Sequence, residues 1–182
     1  LRAPERRDID PVAVACRDAD IRRFTRIPPN YGRDDAVAFI LGAVERRSAG
    51  ISAELVATDR PDGALCGVVG IVVDRHDRAR AEIGYWTHPE ERGRGVAAAA
   101  LRLLSGWALG PGGFVRLDLV VSVENAASRA VVQRSGFVWE GTARSAWPAP
   151  DGRHDMAVYS LIASDLGSGA GDSPGHHPGP SR

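Results

Sequence analysis

A glycine- and arginine-rich loop contains the residues whose spacing most directly indicates chemistry. Arg92-Gly93-Arg94-Gly95-Val96-Ala97 lies between a strand-like run, Ala81 to Trp86, and an alanine- and leucine-rich helical run that ends at Leu109. Glycines let a backbone approach a bulky anion without interference from Cβ atoms. The start of a helix leaves its first N–H donors free and presents the positive end of the helix dipole. The loop therefore predicts a diphosphate site built mainly from backbone amides.

Two classes of nucleotide site match this loop incompletely. Gly93 to Ala98 formally satisfies the dinucleotide-binding fingerprint, with alanine in third place. In that class the first glycine follows the strand directly, whereas Thr87 to Arg92 intervene here. Asp118 has roughly the offset of a ribose-binding acid but lies inside the run Val115 to Val121. A P-loop is excluded, because no Lys-Ser or Lys-Thr follows and the chain contains no lysine.

Four segments together indicate a third class of site. They are Glu82 to Trp86, Pro89 to Ala97, Glu124 to Ser128, and Ser135 to Phe137. In order and spacing they resemble the GNAT superfamily of acyl-CoA-dependent N-acetyltransferases, and most closely its branch for ribosomal-protein N-termini (RimJ/RimL-type). The resemblance is strong from Ala81 to Leu166 and looser from Leu1 to Asp74. The family signature for the pyrophosphate of coenzyme A is Arg/Gln-x-x-Gly-x-Gly/Ala, which Arg92, Gly95 and Ala97 match.

The resemblance implies an α/β (α+β) fold whose mixed, mostly antiparallel central sheet is flanked by helices. The central strands are expected to splay apart to admit acetyl-CoA. A chain of 182 residues suits one domain, and we expect it to span residues 1–166. Residues 167–182 are mostly Gly, Ser, Pro and His and are predicted to be a disordered tail. Two tail histidines, His176 and His177, lack the further ligands of a metal site.

Composition limits the partners. The chain has 23 basic and 23 acidic residues, so a general attraction to nucleic acid or to an anionic membrane is not indicated. Cys16 and Cys66 lack metal-ligand spacing and are expected to be buried in a reducing compartment. The chain shows no leader and no apolar run that could span a bilayer, which favours the cytosol, although it does not begin with methionine. The expected partners are acyl-CoA and an amine, without a metal, for a monomer or homodimer.

Periodicity predicts five helices. The helix after Asp34 carries apolar Val37, Ile40, Leu41 and Val44. The helix after the loop is predicted to bury Ala100, Leu103, Leu104 and Trp107. Further helices are predicted from Pro11 to Cys16 together with Ile21 to Phe24, and from Ala126 to Ser135, with Gly136 as a left-handed C-cap.

Alternation predicts six strands. They are Ser52 to Thr58, Leu65 to Val73, Ala81 to Trp86, Val115 to Val121, Phe137 to Gly141, and Met156 to Leu161. The turn Arg60-Pro61-Asp62-Gly63 joins the first two. The segment Trp147 to Gly152 is predicted to be a loop between the last two.

The resemblance assigns coenzyme A contacts along the chain. Gly93, Val96 and the rest of the loop backbone would hold the diphosphate, with Arg92 and Arg94 either adding charge or remaining solvated. Backbone groups of Trp86 and Thr87 would contact the pantetheine arm and the thioester oxygen, unless they only complete the sheet.

Two helical positions match further contacts to the donor. Asn125 matches a pantetheine-contacting asparagine and also suits an N-cap. Arg134 is a candidate for the 3′-phosphate, or else an exposed helical residue.

Two residues are candidates for proton transfer. Ser128 matches the family's serine that protonates the departing thiolate, and its alternative role is a serine in the first helical turn. Glu82 is a candidate general base, and alternatively a solvent-facing strand residue. An α-amine with a pKa near 7.7–8.0 could also react with water as its base. His88 and Tyr159 could relay a proton or have structural roles.

The predicted reaction is acetyl transfer from acetyl-CoA to a primary amine by direct attack in a ternary complex, because the sequence offers no convincing cysteine near the donor loop for a covalent intermediate. The amine is either a protein N-terminus or a small molecule, in a site lined by Thr25 to Tyr31 and Arg144 to Arg153. Two alternatives remain. One is transfer from succinyl-CoA or another acyl-CoA, and the other is a catalytically silent acyl-CoA-binding module.

Overall fold

The structure is a computed structural model that describes residues 1–61, 63–149 and 152–167. The predicted tail beyond Gly167, with its two histidines, lies outside the described residues, as does Asp62 of the predicted turn. The Gly63 amide donates to the Arg60 carbonyl oxygen at 2.9 Å, which confirms that turn. No helix among the described residues is long and apolar enough to cross a membrane.

Within the described residues, six strands form one sheet in the order β1-β2-β3-β4-β6-β5. They span Ser52–Thr58 (β1), Leu65–Val73 (β2), Arg80–Thr87 (β3), Arg116–Ser122 (β4), Val138–Ala149 (β5) and Gly152–Ile162 (β6). Neighbouring strands are antiparallel except β3 and β4, which are parallel. Arg2 adds a bridge to Val56 at the β1 edge. The mixed, mostly antiparallel sheet is therefore as predicted.

The two central strands are paired over only three residues. Arg80–Glu82 of β3 pairs with Arg116–Asp118 of β4. Beyond this point β3 stays paired with β2 as far as Thr87, while β4 stays paired with β6 as far as Ser122. The two strands thus separate in the middle of the sheet, which confirms the predicted split and leaves the β4-facing edge of β3 open.

A charged cluster holds the closed end of the split. Arg80 lies 2.8 Å from Asp118 across the β3–β4 pair. Arg116 lies 2.7 Å from Asp118 and 2.6 Å from Glu140 on β5. Hydrogen bonds from Arg116 and Ser160 lower the pKa of Glu140 to about 2. Glu140 therefore remains ionised at neutral pH, and the cluster links β3, β4 and β5 at the end where pairing is retained.

Five helices of the described chain cover the two faces of the sheet. They span Ile9–Ala15 (α1), Ala19–Phe24 (α2), Arg33–Ser48 (α3), Val96–Leu109 (α4) and Ala126–Arg134 (α5). Residues of α4 and α5 share one core with the sheet, and residues of α1 and α3 share a second core on β1 and β2. Cys16 and Cys66 are buried free thiols, as predicted. Burial raises the pKa of Cys16 to about 12.

The predicted buried faces of α4 and α3 are partly wrong, although Ala100 and Leu104 of α4 and Ile40 of α3 are buried as expected. In α4, Leu103 and Trp107 are 62% and 50% exposed, whereas Leu101 is buried. In α3, Leu41 and Val44 are exposed. Small residues take the buried positions in both helices, including Ala100 and Ala108 in α4 and Ala36 and Ala43 in α3. The first two turns of α4 are almost entirely apolar, so periodicity there cannot specify which face packs.

The predicted loop from Trp147 to Gly152 is wrong for Trp147, Pro148, Ala149 and Gly152, while Pro150 and Asp151 lie outside the described residues. Trp147, Pro148 and Ala149 continue β5 and pair with His154, Arg153 and Gly152 of β6. Register shifts precede Trp147 and follow Trp139. Proline is tolerated here because β5 is the edge strand of the sheet. Pro148 and Gly152, which indicated a loop, instead belong to the paired strands β5 and β6.

Candidate active site

The glycine-rich loop forms an open cradle at the start of α4. Gly93 and Gly95 have φ of 76° and 80°, in the left-handed region that favours glycine. Gly95 is the N-cap, and no side chain among the described residues caps the helix. A Cβ built on either glycine would meet no atom within 4 Å. The conformation therefore requires glycine, and the space over the loop is free for an anion held by first-turn amides.

The two loop arginines are engaged with protein carboxylates. Arg92 lies 2.5 Å from Asp18 and 3.3 Å from Asp20, which ties the loop to the start of α2. Arg94 pairs with Glu91. In this arrangement the backbone, and not the arginine side chains, forms the cradle.

The end of β3 lies between the cradle and the split. Trp86 and Thr87 are half-buried and pair with Val68 and Gly67 of β2. The Trp86 side chain packs against the core that β1 and β2 share with α1 and α3. Because β4 has already diverged, the opposite edge of these residues faces the split. Trp86 and Thr87 therefore pair with β2 on one side and, among the residues that the structure describes, have no strand partner on the side of β4.

The start of α5 brings two predicted residues together. The Asn125 side-chain oxygen accepts the Ser128 amide at 3.0 Å, so Asn125 is the N-cap of α5. The Ser128 hydroxyl lies 2.7 Å from the Tyr85 hydroxyl, and either group can donate. The Tyr85 hydroxyl also lies 3.4 Å from the Ser128 carbonyl oxygen. Ser128 therefore has a fixed hydroxyl partner on the central strand.

Sequence reasoning gave Tyr85 no role. Burial raises its pKa to about 12, although the Ser128 hydrogen bond acts in the opposite direction. The phenol consequently stays protonated over the range in which the protein would work. Its partner lies 43 residues later in the chain. The only available signal was the alternation that places Tyr85 on the face opposite Glu82.

A cavity of about 350 Å³ connects the predicted proton-transfer groups. Glu82, Trp86, Asn125 and Ser128 all line it. Both segments expected to surround the acceptor also contribute, with Thr25, Arg26 and Ile27 from one and Trp147 from the other. Among the predicted site residues, Thr87, the loop residues Arg92 to Ala97 and Arg134 do not line it, and Arg134 is exposed in the last turn of α5. A second cavity, of about 260 Å³, reaches Arg94, Gly95 and Val96.

The Glu82 carboxylate is engaged by a neighbouring cation. An Arg26 nitrogen lies 2.9 Å and 3.2 Å from its two oxygens. The Glu82 side chain is 41% exposed. It is thus both solvent-accessible and part of the cavity wall, which is compatible with either of the roles predicted for it.

The two other titratable candidates have structural partners. His88 is the N-cap of a 3₁₀ turn, and its Nδ1 accepts the Glu90 amide at 3.4 Å. Tyr159 is fully buried, and its hydroxyl accepts a hydrogen bond from Arg129 at 3.5 Å.

Comparison with known proteins matches this chain to acetyltransferases. A family model described as the acetyltransferase (GNAT) domain matches residues 1–138. YdaF of Bacillus subtilis (strain 168), provisionally named a ribosomal N-acetyltransferase, is 39% identical over 102 residues. That match covers 56% of this chain and spans only 55% of the length of YdaF.

Solved structures show the same fold at lower identity. RimL, a ribosomal L7/L12 alpha-N-protein acetyltransferase in complex with coenzyme A, has a TM-score of 0.79 at 21% identity, covering 91% of this chain and 94% of its own. Spermidine N-acetyltransferase from Vibrio cholerae, in complex with CoA and spermine, has a TM-score of 0.78 at 19% identity, covering 91% and 95%.

Proposed function

The chain belongs to the acetyltransferase (GNAT) domain family, and on that premise we propose that it transfers an acetyl group from acetyl-CoA to a primary amine. The observation that carries the proposal is the Ser128–Tyr85 hydroxyl pair. It lies in the wall of the cavity at the split between β3 and β4. The uncapped start of α4 follows β3 along the same chain segment. Ser128 would act as the acid, the cavity would hold the acceptor, and the start of α4 would hold the phosphates of the donor.

The cradle supports binding of the donor. Amides from Gly93 to Ala97 would hold the diphosphate, which the open space over Gly95 accommodates. Edge amides of Trp86 and Thr87 would contact the pantetheine arm. Asn125 would use its side-chain nitrogen, since its oxygen caps α5. Arg92 and Arg94 would leave their carboxylate partners to reach a phosphate, and Arg134 would lie beside the 3′-phosphate.

The side chains of the cavity support direct transfer. The amine nitrogen would bond to the thioester carbonyl carbon while the carbon–sulfur bond breaks. Ser128 would donate its proton to the departing sulfur, and the neutral Tyr85 phenol would hold and reprotonate it. The proton that the amine loses would pass through water to Glu82 where Arg26 has left its carboxylate and no other cation has replaced it, and otherwise to water alone. Proximity in the ternary complex would supply most of the acceleration, about 7–11 kcal/mol.

We also propose that the chain acts in the cytosol on a small amine or on a protein N-terminus. The free thiols of Cys16 and Cys66 suit a reducing compartment. Either acceptor would enter the cavity between Thr25 to Ile27 and Trp147, which line it.

Incubation with acetyl-CoA and a panel of primary amines tests the proposal. Mass spectrometry should find the acceptor heavier by one acetyl group, in proportion to the free thiol released. The same assay with succinyl-CoA shows whether the protein transfers an acetyl group or a longer acyl group. Binding of acetyl-CoA without transfer to any amine in the panel would instead support the silent module.

A further inference from the structure

A cation already occupies the mouth of the acceptor cavity. The Arg26 guanidinium lies 2.9 Å from a carboxylate oxygen of Glu82 and 5.1 Å from the ring centroid of Trp147. All three side chains line the cavity. A carboxylate beside an aromatic face is an arrangement that binds ammonium and guanidinium groups. Glu82 and Trp147 therefore form a cation-binding subsite, which the protein's own arginine fills.

Arg26 can leave this subsite without disrupting the fold. Its side chain is 62% exposed, and that of Glu82 is 41% exposed. Exposed ion pairs contribute little, because water competes for both groups and side-chain entropy is lost. Arg26 also lies between the end of α2 at Phe24 and the start of α3 at Arg33, outside both helices. A cation from a ligand can replace it and leave Glu82 paired.

The remaining charges of the cavity favour such a ligand. The charged side chains that line it, among the described residues, are Arg26, Glu54 and Glu82. Oε1 of Glu54 accepts hydrogen bonds from Ser52 at 2.6 Å and Arg46 at 3.2 Å. Its Oε2 is buried with no partner in the described part of the chain. With Arg26 withdrawn, the charged lining is entirely acidic.

The subsite is offset from the reacting centre. Glu82 and Tyr85 are three residues apart on β3, which corresponds to about 10 Å of strand. Alternation also directs the two side chains to opposite faces of the sheet. Tyr85 holds Ser128, the proposed acid. A cation beside Glu82 is therefore a different group from the amine that attacks the thioester near Ser128.

We propose that Glu82 and Trp147 bind a second, non-reacting cationic group of the acceptor, and that Arg26 fills this subsite until the acceptor displaces it. The acceptor class is then a primary amine that carries a further ammonium or guanidinium group. This inference rests on the proposed function, because it specifies the amine that the same cavity receives. Arg26 is accordingly a specificity-determining residue.

Binding of methylguanidinium tests the subsite without turnover. In Arg26→Ala, millimolar methylguanidinium chloride should raise the melting temperature above that in equal sodium chloride. The unmutated protein should show a smaller rise, since its own arginine competes. Adding Trp147→Leu to Arg26→Ala should abolish the rise. Arg22→Ala, an exposed arginine on α2 that does not line the cavity, is the matched control and should behave like the unmutated protein.

Two primary amines that differ in their non-reacting end test the acceptor class. Agmatine carries a guanidinium group at the end opposite its reacting amine, and pentylamine carries a methyl group. Arg26→Ala should lower the KM for agmatine relative to that for pentylamine by about tenfold, the size of a modest cation–π and ion-pair contribution. Arg26→Lys retains a positive charge, so its ratio of the two KM values should stay close to that of the unmutated protein.

The outcomes separate this inference from the proposed function. An equal fall of both KM values in Arg26→Ala would mean that the reacting amine itself displaces Arg26, and a rise for agmatine alone would mean that Arg26 helps to bind it. Either result overturns the inference. Absence of acetyl transfer to both amines would contradict the proposed function for them, while the methylguanidinium measurement would still decide whether the subsite exists. No stabilisation of Arg26→Ala would refute it.

Discussion

At the scale of single residues, the site depends on one hydroxyl pair and one carboxylate on opposite faces of the same strand. Ser128 and Tyr85 share a 2.7 Å hydrogen bond, and the tyrosine is held neutral by burial. Glu82 lies on the solvent-accessible side with its arginine partner. A proton donor and a proton acceptor on opposite faces of one strand suit a reaction in which one proton leaves the amine and another reaches the thiolate.

Replacing Ser128 by alanine should lower kcat by about 100-fold or more, the usual contribution of one general acid. The dissociation constant of acetyl-CoA should change little, because the acid acts in the transition state. Pre-steady-state acetyl transfer and calorimetry measure the two quantities. Ser135→Ala is the control, since that hydroxyl donates to the Val131 carbonyl oxygen at the other end of α5. An unchanged kcat would assign Ser128 to helix structure.

Replacing Glu82 by glutamine should lower kcat at pH 7 more than at pH 9. An amine with a pKa near 8 is mostly neutral at pH 9, so it needs less help from a base. The pH dependence of kcat for a peptide N-terminus, measured in both proteins, gives the comparison. If only KM changes, and by the same factor at both pH values, Glu82 binds the acceptor and is not the base.

At the scale of elements, the sequence predicts where strands and helices lie better than which side of a helix packs. The bounds of β1 and β2 and the end of α4 were predicted to the residue, because breakers and alternation mark them. The buried faces of α3 and α4 were only partly right: Ile40, Ala100 and Leu104 are buried, but alanines take positions expected for Leu41 and Leu103, because alanine is tolerated both buried and exposed. Contacts such as that between Tyr85 and Ser128 depend on tertiary geometry that no local pattern records.

The left-handed cap of α4 gives a test at this scale. Gly95→Ala should cost about 1–2 kcal/mol of stability, because φ of 80° is unfavourable for an L-residue. Its Cβ would project into open space over the cradle, so acetyl-CoA should bind at least about tenfold more weakly. Gly113→Ala is a matched control, with φ of 75° and equally open surroundings beyond the other end of α4. Equal losses of affinity in both variants would remove the loop from the binding site.

At the scale of the whole molecule, a buried ion pair joins the start of the chain to its core. Arg2 donates two hydrogen bonds of 2.7 Å to Asp8, which is 2% exposed. Burial alone would raise the pKa of Asp8, but hydrogen bonds from Arg2 and from the Glu5 amide lower it overall. The Arg2 backbone also pairs with Val56 of β1. The segment before α1 is thereby held at the edge of the sheet.

Asp8→Asn should therefore destabilise the fold by about 3 kcal/mol, the cost of removing one partner of a buried pair. Because the folded pKa of Asp8 lies below its unfolded value near 3.9, its contribution is complete above that value and is lost as pH falls through the folded pKa. The free energy of unfolding, measured by urea denaturation, should differ between the two proteins by the full amount at pH 7 and by less below about pH 4. A difference that is independent of pH would show that packing, and not charge, holds this segment.

The binding reaction of the intact chain distinguishes the acyltransferase interpretation from the dinucleotide one. Acetyl-CoA at a hundredfold excess over its dissociation constant should stabilise the folded state by about 2.7 kcal/mol, because it binds only that state. NAD should give no stabilisation, since the loop follows β3 of a mostly antiparallel sheet whose two central strands separate. A Rossmann unit instead places its loop at the carboxyl end of a strand in a parallel sheet. Differential scanning calorimetry with each ligand measures both effects. Stabilisation by NAD and not by acetyl-CoA would make the glycine loop a dinucleotide site, and the hydroxyl pair at the split would then be structural.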